Sequence, residues 1–285
     1  MPYFMYLSGY VTFLSGAARV TPAAWPLMVS KRAFRLLLPF VIFGIAIVIG
    51  KMIAAHFMYV DNLPDSIGGA LRGLLWNTDF SPATSVWYIG VLFVFCALAP
   101  PLIWLGRGRI QLLLGLAAAV YFLPVPHVLY LNLISKFAIF FALGGLAAEA
   151  GERWLGWIDR ATGWMILALL TALTCTLAFP QTLPFPVTYL LCGVLSIPAL
   201  HGLVRKPMLS SSQLLLRVGS FSAVIYLLNT PCIGLVKGLT LRLLPWDGYH
   251  FLLFAPLLMA AGTIGPIVIK RFALRHVPVF DRMTD

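Results

Sequence analysis

Long apolar runs separated by short polar segments make up almost the whole chain. We count nine runs, at residues 1–18, 36–57, 86–105, 110–126, 130–148, 162–180, 187–204, 218–241 and 250–269. Because hydrocarbon about 30 Å thick requires roughly 20 apolar residues in a helix, the pattern predicts nine transmembrane helices. No strand-like alternation is sustained. The predicted fold class is therefore an all-α integral membrane bundle, forming a single domain over residues 1–285.

The positively charged residues fall in alternate connections between these runs. Only Arg72 and Arg242 lie on one side, whereas fifteen lysines and arginines lie on the other. The larger set is Arg19, Lys31, Arg32, Arg35, Arg107, Arg109, Arg153, Arg160, Arg205, Lys206, Arg217, Lys270, Arg271, Arg275 and Arg282. Lys and Arg are retained on the cytoplasmic side during insertion. The pattern therefore predicts the N-terminus outside and the C-terminus in the cytoplasm.

Composition narrows the class of protein further. Hydrophobic residues make up 61% of the chain and charged residues 10%, which excludes a soluble domain. The net charge of +11 would suit a nucleic-acid partner, but the cations lie in short connections between apolar runs, so we predict no nucleic-acid binding. The four cysteines stand inside apolar runs without Cys-x-x-Cys spacing, and we predict neither disulfides nor a metal site.

The connection from residue 58 to residue 85 is the longest on the predicted outer side. Within it, the stretch from Ser66 to Trp76 predicts a short interfacial helix, with Asp65 or Ser66 as its N-cap. Such a helix is a candidate lid.

Two arginines stand three residues apart where a basic cluster meets an apolar run. On a helix, Arg32 and Arg35 share one face at the predicted cytoplasmic surface. Paired guanidinium groups suit a phosphate-rich ligand, because each can grip phosphate with two hydrogen bonds. The alternative is that both residues only anchor the topology.

Lys51, Lys136 and Lys237 lie inside three different apolar runs, each in the predicted outer half. Intramembrane lysines usually face a cavity or the bundle interior, and the alternative is that they extend to the outer headgroups. His56, His127 and His250 map to the same side. A histidine is the usual general base near neutral pH, although each of the three also suits an interfacial position.

Five segments carry a resemblance to a known family. They are Phe4 to Tyr10, Arg32-x-x-Arg35 running into Leu36-Leu37-Leu38-Pro39, Trp87 to Phe93, Phe140 to Leu146, and Ser222 to Pro231. In this order and at this spacing, the chain resembles the bacterial acyltransferase family 3. These polytopic enzymes move acyl groups from a coenzyme A thioester to hydroxyls of envelope sugars and related acceptors.

The resemblance implies a multi-pass protein of the inner (plasma) membrane that uses acyl-CoA, most often acetyl-CoA, as co-substrate and binds no permanent cofactor. The acceptor is expected to be a carbohydrate or glycolipid, and the oligomeric state stays open. The family links its Arg-x-x-Arg motif to the acyl-CoA side, so Arg32 and Arg35 become candidate coenzyme A ligands. Trp87 and Asn229, in two matching segments, join the three lysines as candidate substrate contacts. Many relatives carry a histidine at the place of Asn229.

The chain departs from the family pattern at its start. Family members begin with one more span, which carries an arginine and the histidine taken to be the catalytic base. We therefore expect residues 1–285 alone to transfer acyl groups poorly, with His56, His127 and His250 as the fallback bases. Two other functions are open at this point: a transporter or flippase for an envelope lipid or sugar, and a catalytically inactive, shortened family member.

Overall fold

The computed structural model describes residues 1–76, 81, 83, 85–179, 182–277 and 280–281. Within these residues the chain forms twelve α-helices and no strand. The helices are α1 (Pro2–Leu14), α2 (Trp25–Ala54), α3 (Ile67–Leu75), α4 (Trp87–Leu105), α5 (Ile110–Tyr121), α6 (Leu131–Ala150), α7 (Glu152–Ala178), α8 (Phe185–Arg205), α9 (Pro207–Ser210), α10 (Gln213–Ser220), α11 (Ser222–Thr240) and α12 (Phe251–Phe272). The all-helical fold class predicted from the sequence is confirmed for the described residues.

Seven of these helices are long and apolar enough to cross a membrane, namely α2, α4, α6, α7, α8, α11 and α12. The predicted count of nine is not confirmed. The runs at 1–18 and 110–126 form α1 and α5, which have 13 and 12 residues. At 1.5 Å per residue they rise only about 20 Å and 18 Å, less than the roughly 30 Å of hydrocarbon. The orientation of the termini stays a prediction.

Helix α2 begins well before the apolar run that predicted it. It starts at Trp25 rather than at residue 36, and so includes Lys31, Arg32 and Arg35. Lysine, arginine and alanine are good helix formers, so the backbone stays helical where the hydropathy pattern breaks. The 30 residues of α2 rise about 45 Å. This length lets the cationic end of α2 extend past a hydrocarbon core.

The chain divides into two compact units, and the first comprises Met1–Arg32, Leu92–Pro126 and Leu131–Leu215. In this unit α6 packs against α1 and α5, and α7 packs against α8. The backbones of α1 and α6 approach closely at two glycines. A methyl group added at Gly9 would overlap the carbonyl oxygen of Phe141, and one added at Gly144 would overlap that of Tyr6. Small residues at such contacts let membrane helices pack backbone to backbone.

The second unit comprises Ala33–Val91, His127–Tyr130 and Leu216–Asp285. Its α11 packs against α12. The short helix predicted in the long connection is confirmed as α3, and the hydroxyl of Ser66 caps it by accepting the backbone N–H of Gly69 at 3.0 Å. Leu74 of α3 is buried against Gly44 of α2. The hydroxyl of Tyr130 also donates to the carbonyl oxygen of Leu74 at 2.9 Å, which fixes α3 to this unit.

Candidate functional site

A pocket of about 240 Å³ lies in the second unit. One wall is α2 and the other is α11. The loop from Met58 to Asp61 and Ser85 complete the lining. Its apolar lining includes Phe43, Ile47, Leu228, Pro231 and Leu235. Hydrocarbon walls with a few convergent polar groups are the usual composition of a ligand site.

Two lysines and one aspartate form the polar part of this pocket. The ammonium of Lys237 on α11 lies 2.7 Å from the carboxylate of Asp61, and the ammonium of Lys51 on α2 donates to the backbone carbonyl oxygen of Asp61 at 2.8 Å. Side-chain exposure is 31% for Lys237 and 53% for Asp61. The three groups together carry one net positive charge. The pocket is therefore electropositive at the point where its polar groups meet.

Two of the three lysines singled out in the sequence, Lys51 and Lys237, thus line one pocket. The third lies in the first unit. Its ammonium stands over the rings of Tyr189 and Phe185, at 3.8 Å and 5.2 Å from the ring centroids. A cation over an aromatic face is stabilised by the ring quadrupole. The structure therefore gives Lys136 aromatic neighbours of its own, and a substrate contact for all three lysines stays a prediction.

Hydroxyl groups add further polar chemistry to the pocket. The hydroxyl of Ser85 is buried and has no hydrogen-bond partner among the described residues. The hydroxyl of Thr230, which also lines the pocket, donates to the side-chain oxygen of Asn229 at 3.0 Å. Asn229 is thereby held by its neighbour. Trp87 is half-buried at the start of α4, with its ring 6.1 Å from that of Tyr88.

The three predicted fallback bases all belong to the second unit. His56 and His127 are exposed, and Nδ1 of His56 donates to the carbonyl oxygen of Met52 at 2.9 Å. Nδ1 of His250 lies 2.9 Å from the carboxylate of Asp247 in the loop before α12. The backbone N–H of His250 donates to the same carboxylate oxygen, and this bond lowers the pKa of Asp247. An ionised carboxylate beside an imidazole can orient the ring.

One histidine that the sequence gave no reason to single out is buried in the first unit. Nδ1 of His201 lies 2.8 Å from the hydroxyl of Tyr6, which also accepts the indole N–H of Trp154 at 2.8 Å. An indole N–H only donates, so the Tyr6 proton is available to Nδ1. This polar cluster joins α1, α7 and α8. Its one sequence signal is the four-residue spacing of Tyr6 and Tyr10, which puts both rings on one face of α1 beside His201.

The two arginines of the basic cluster lie on α2. Arg32 is half-buried and Arg35 is exposed, and helical geometry puts them on one face about 4.5 Å apart along the axis. Along the axis of the same helix, Lys51 lies about 28 Å from Arg32. The arginines and the lysine pocket therefore belong to opposite ends of α2.

Comparison with family models connects these features to a known class. A family model described as an acyltransferase domain, that of acyltransferase family 3, matches residues 1–271. The chain belongs to acyltransferase family 3. Comparison with curated proteins and with solved structures gives no match. The resemblance found in the sequence is thus confirmed, and the seven long apolar helices make this acyltransferase a multi-pass membrane protein.

Proposed function

We propose that this protein transfers an acyl group, most often acetyl, from acyl-CoA to a hydroxyl of an envelope carbohydrate or glycolipid. The observation that carries the proposal is the family match, which extends over residues 1–271. The reaction forms an ester between the acyl carbon and the acceptor oxygen and breaks the thioester bond. The hydroxyl proton leaves with a base, and coenzyme A departs as the thiol.

Arg32 and Arg35 are the proposed ligands of the coenzyme A phosphates. They share one helix face. Arg32 is half-buried and Arg35 is exposed, so both guanidinium groups are accessible to a ligand. Guanidinium binds phosphate with a planar pair of N–H donors. Support for this role comes from the family motif that the two residues match.

The test of the function is acyl transfer from labelled acetyl-CoA to envelope glycans in membranes that contain the protein. The assay compares membranes that contain the wild-type chain with membranes that lack it and with variants in which His250, His56 or His127 is replaced. We expect the variant that lacks the base to transfer at least about 100-fold more slowly than the wild type, since general-base catalysis contributes roughly 10²- to 10⁴-fold.

Absence of transfer by the wild-type chain would contradict the acyltransferase proposal. Transfer by the wild-type chain would support it and would allow the base to be sought among the three histidines. His250 would then be replaced first, because a carboxylate lies 2.9 Å from its ring nitrogen, followed by His56 and His127. Exposed His276 supplies the matched control.

The proposed orientation places Met1 and the connection from residue 58 to residue 85 on the outer side of the membrane, and Arg32 and Asp285 on the cytoplasmic side. Asp285 lies outside the described residues. Single cysteines at Asp65 and Ser211, both exposed, test it in a variant whose exposed Cys175 is replaced by serine. Asp65 is preferred to Ser66 because Ser66 caps α3. In intact spheroplasts, an impermeant thiol reagent should label position 65 and leave position 211 unmodified until the membrane is permeabilised. The reverse pattern would invert the topology.

A further inference from the structure

We propose that the pocket between α2 and α11 binds a phosphate-bearing amphiphile. The hydrocarbon chain would lie against the apolar walls, and the phosphate would lie between Lys51 and Lys237. This proposal does not rest on the proposed transfer reaction, because the binding can be measured without acyl-CoA.

The charges of the pocket favour an anionic ligand. Two ammonium groups, those of Lys51 and Lys237, converge on a single residue, Asp61. Only Lys237 contacts the carboxylate, whereas Lys51 contacts a neutral carbonyl group. One negative charge therefore balances only one of the two positive charges, and an incoming anion would neutralise the remaining positive charge. Close opposite charges in a partly desolvated site attract more strongly than in water.

The position of Asp61 shows how an anion would enter. Asp61 lies in the segment between α2 and α3, outside both helices, and its side chain is about half exposed. Its carboxylate can return to water without disrupting a helix. We infer that Asp61 occupies the anion position in the unliganded protein, and that a phosphate replaces it there.

The hydroxyl of Ser85 is an independent observation that points to a ligand. It is buried in the lining of the pocket without a partner among the described residues, and a buried hydroxyl without a hydrogen bond costs free energy. A phosphate offers several acceptor oxygens, so one group can bind both lysines and this hydroxyl at once. A phosphate monoester presents three such oxygens, whereas a carboxylate presents two.

The apolar walls and the volume define the rest of the ligand. Aliphatic and aromatic side chains of both helices, among them Ile47, Phe43 and Leu235, form the lining away from the lysines. The volume of about 240 Å³ is below the roughly 300–1,000 Å³ of pockets that enclose a whole drug-sized ligand. The pocket therefore fits a headgroup with one chain segment and is too small for a whole coenzyme A.

Binding is tested on the purified full chain in a neutral detergent, with dodecyl phosphate as the probe and calorimetry as the readout. We expect saturable binding that Lys51→Gln and Lys237→Gln each weaken about tenfold or more, because each substitution removes a hydrogen bond between charged groups. Lys206→Gln is the matched control, because Lys206 is exposed and does not line the pocket, and it should bind like the wild type. Asp61→Asn should bind more tightly, because it removes the competing carboxylate.

Three further probes distinguish binding of the hydrocarbon chain from binding of the headgroup. Dodecanol has the same chain without charge, laurate replaces phosphate by carboxylate, and inorganic phosphate has no chain. Equal binding of any of these three and dodecyl phosphate would overturn the proposal, as would wild-type affinity in both lysine variants. Lys237→Arg keeps the charge and should retain most of the binding, which distinguishes a lost ligand contact from a misfolded variant.

Lipid binding in nanodiscs identifies which natural lipid supplies the phosphate. Phosphatidylglycerol supplies a membrane phospholipid, and a polyprenyl phosphate supplies a carrier of the kind that can hold a glycan. Retention of either lipid by the wild type, with loss in the Lys51→Gln/Lys237→Gln double variant, supports the proposal and identifies the source. Retention of neither lipid contradicts it.

Discussion

Replacing Gly144 with alanine is expected to destabilise the protein by about 3 kcal/mol or more. The added methyl group would overlap the carbonyl oxygen of Tyr6 on the neighbouring α1. Overpacking in a well-packed interior costs roughly 1–3 kcal/mol when side chains can adjust. Here the opposing atom belongs to the backbone and cannot rotate away, so α1 and α6 must separate.

The measurement is the temperature at which the detergent-solubilised protein loses its monodisperse gel-filtration peak. Gly163→Ala on α7 is the matched control, because an added methyl group there has no neighbour within 4 Å. Alanine is a better helix former than glycine by about 1 kcal/mol, so this control should be as stable as the wild type or slightly more stable. Identical melting of the Gly144→Ala variant and the wild type would show that α1 and α6 do not pack this closely.

Arg35→Lys is expected to weaken acetyl-CoA binding about tenfold or more while leaving expression and melting temperature unchanged. Arg35 is exposed, so the substitution removes no buried contact of its side chain. Lysine keeps the charge but loses the planar pair of donors that binds phosphate. A lost hydrogen bond between charged groups is worth roughly 1.5–3 kcal/mol, and about 1.4 kcal/mol is tenfold in affinity. Arg32→Lys should behave similarly.

Equilibrium binding of labelled acetyl-CoA to the purified protein measures this effect. The phosphate-bearing nucleotide half of coenzyme A, used as a competitor, should lose affinity by the same factor, because the proposed contacts are to phosphate and not to the acyl group. Arg217→Lys is the control, since Arg217 is another exposed arginine and lies on a different helix, α10. Unchanged affinity in both Arg32→Lys and Arg35→Lys would leave the two arginines as topology anchors only.

The sequence predicted helix positions better than helix lengths. Each of the nine apolar runs overlaps a helix in the structure, but α2 extends through the basic cluster, whereas α1 and α5 are shorter than the runs that predicted them. Hydropathy reports where a segment prefers lipid, while helix length depends on breakers and on packing. In the apolar run at 110–126, α5 ends at Tyr121, ahead of Pro124 and Pro126. A proline inside a helix removes a backbone hydrogen bond and breaks the helix.

The sequence indicated which residues are candidates for a site, but not which of them lie together. Lys51 and Lys237 stood out because a lysine inside an apolar run is costly and needs a partner. Lys136 gave the same signal, yet it lies in the first unit over Tyr189 and Phe185. His201 gave no signal because a histidine inside an apolar run looks the same whether it is buried with a partner or exposed.

The sequence by itself determined the class of protein, the family and the capped helix α3, because these depend on composition, ordered motifs and contacts between residues close in the chain. The tertiary structure alone decided which distant residues meet. Asp61 and Lys237 are 176 residues apart in the chain, and Tyr6 and His201 are 195 apart. Such pairs form because helices pack in a particular order and rotation, and no local pattern of apolar and polar positions encodes that arrangement.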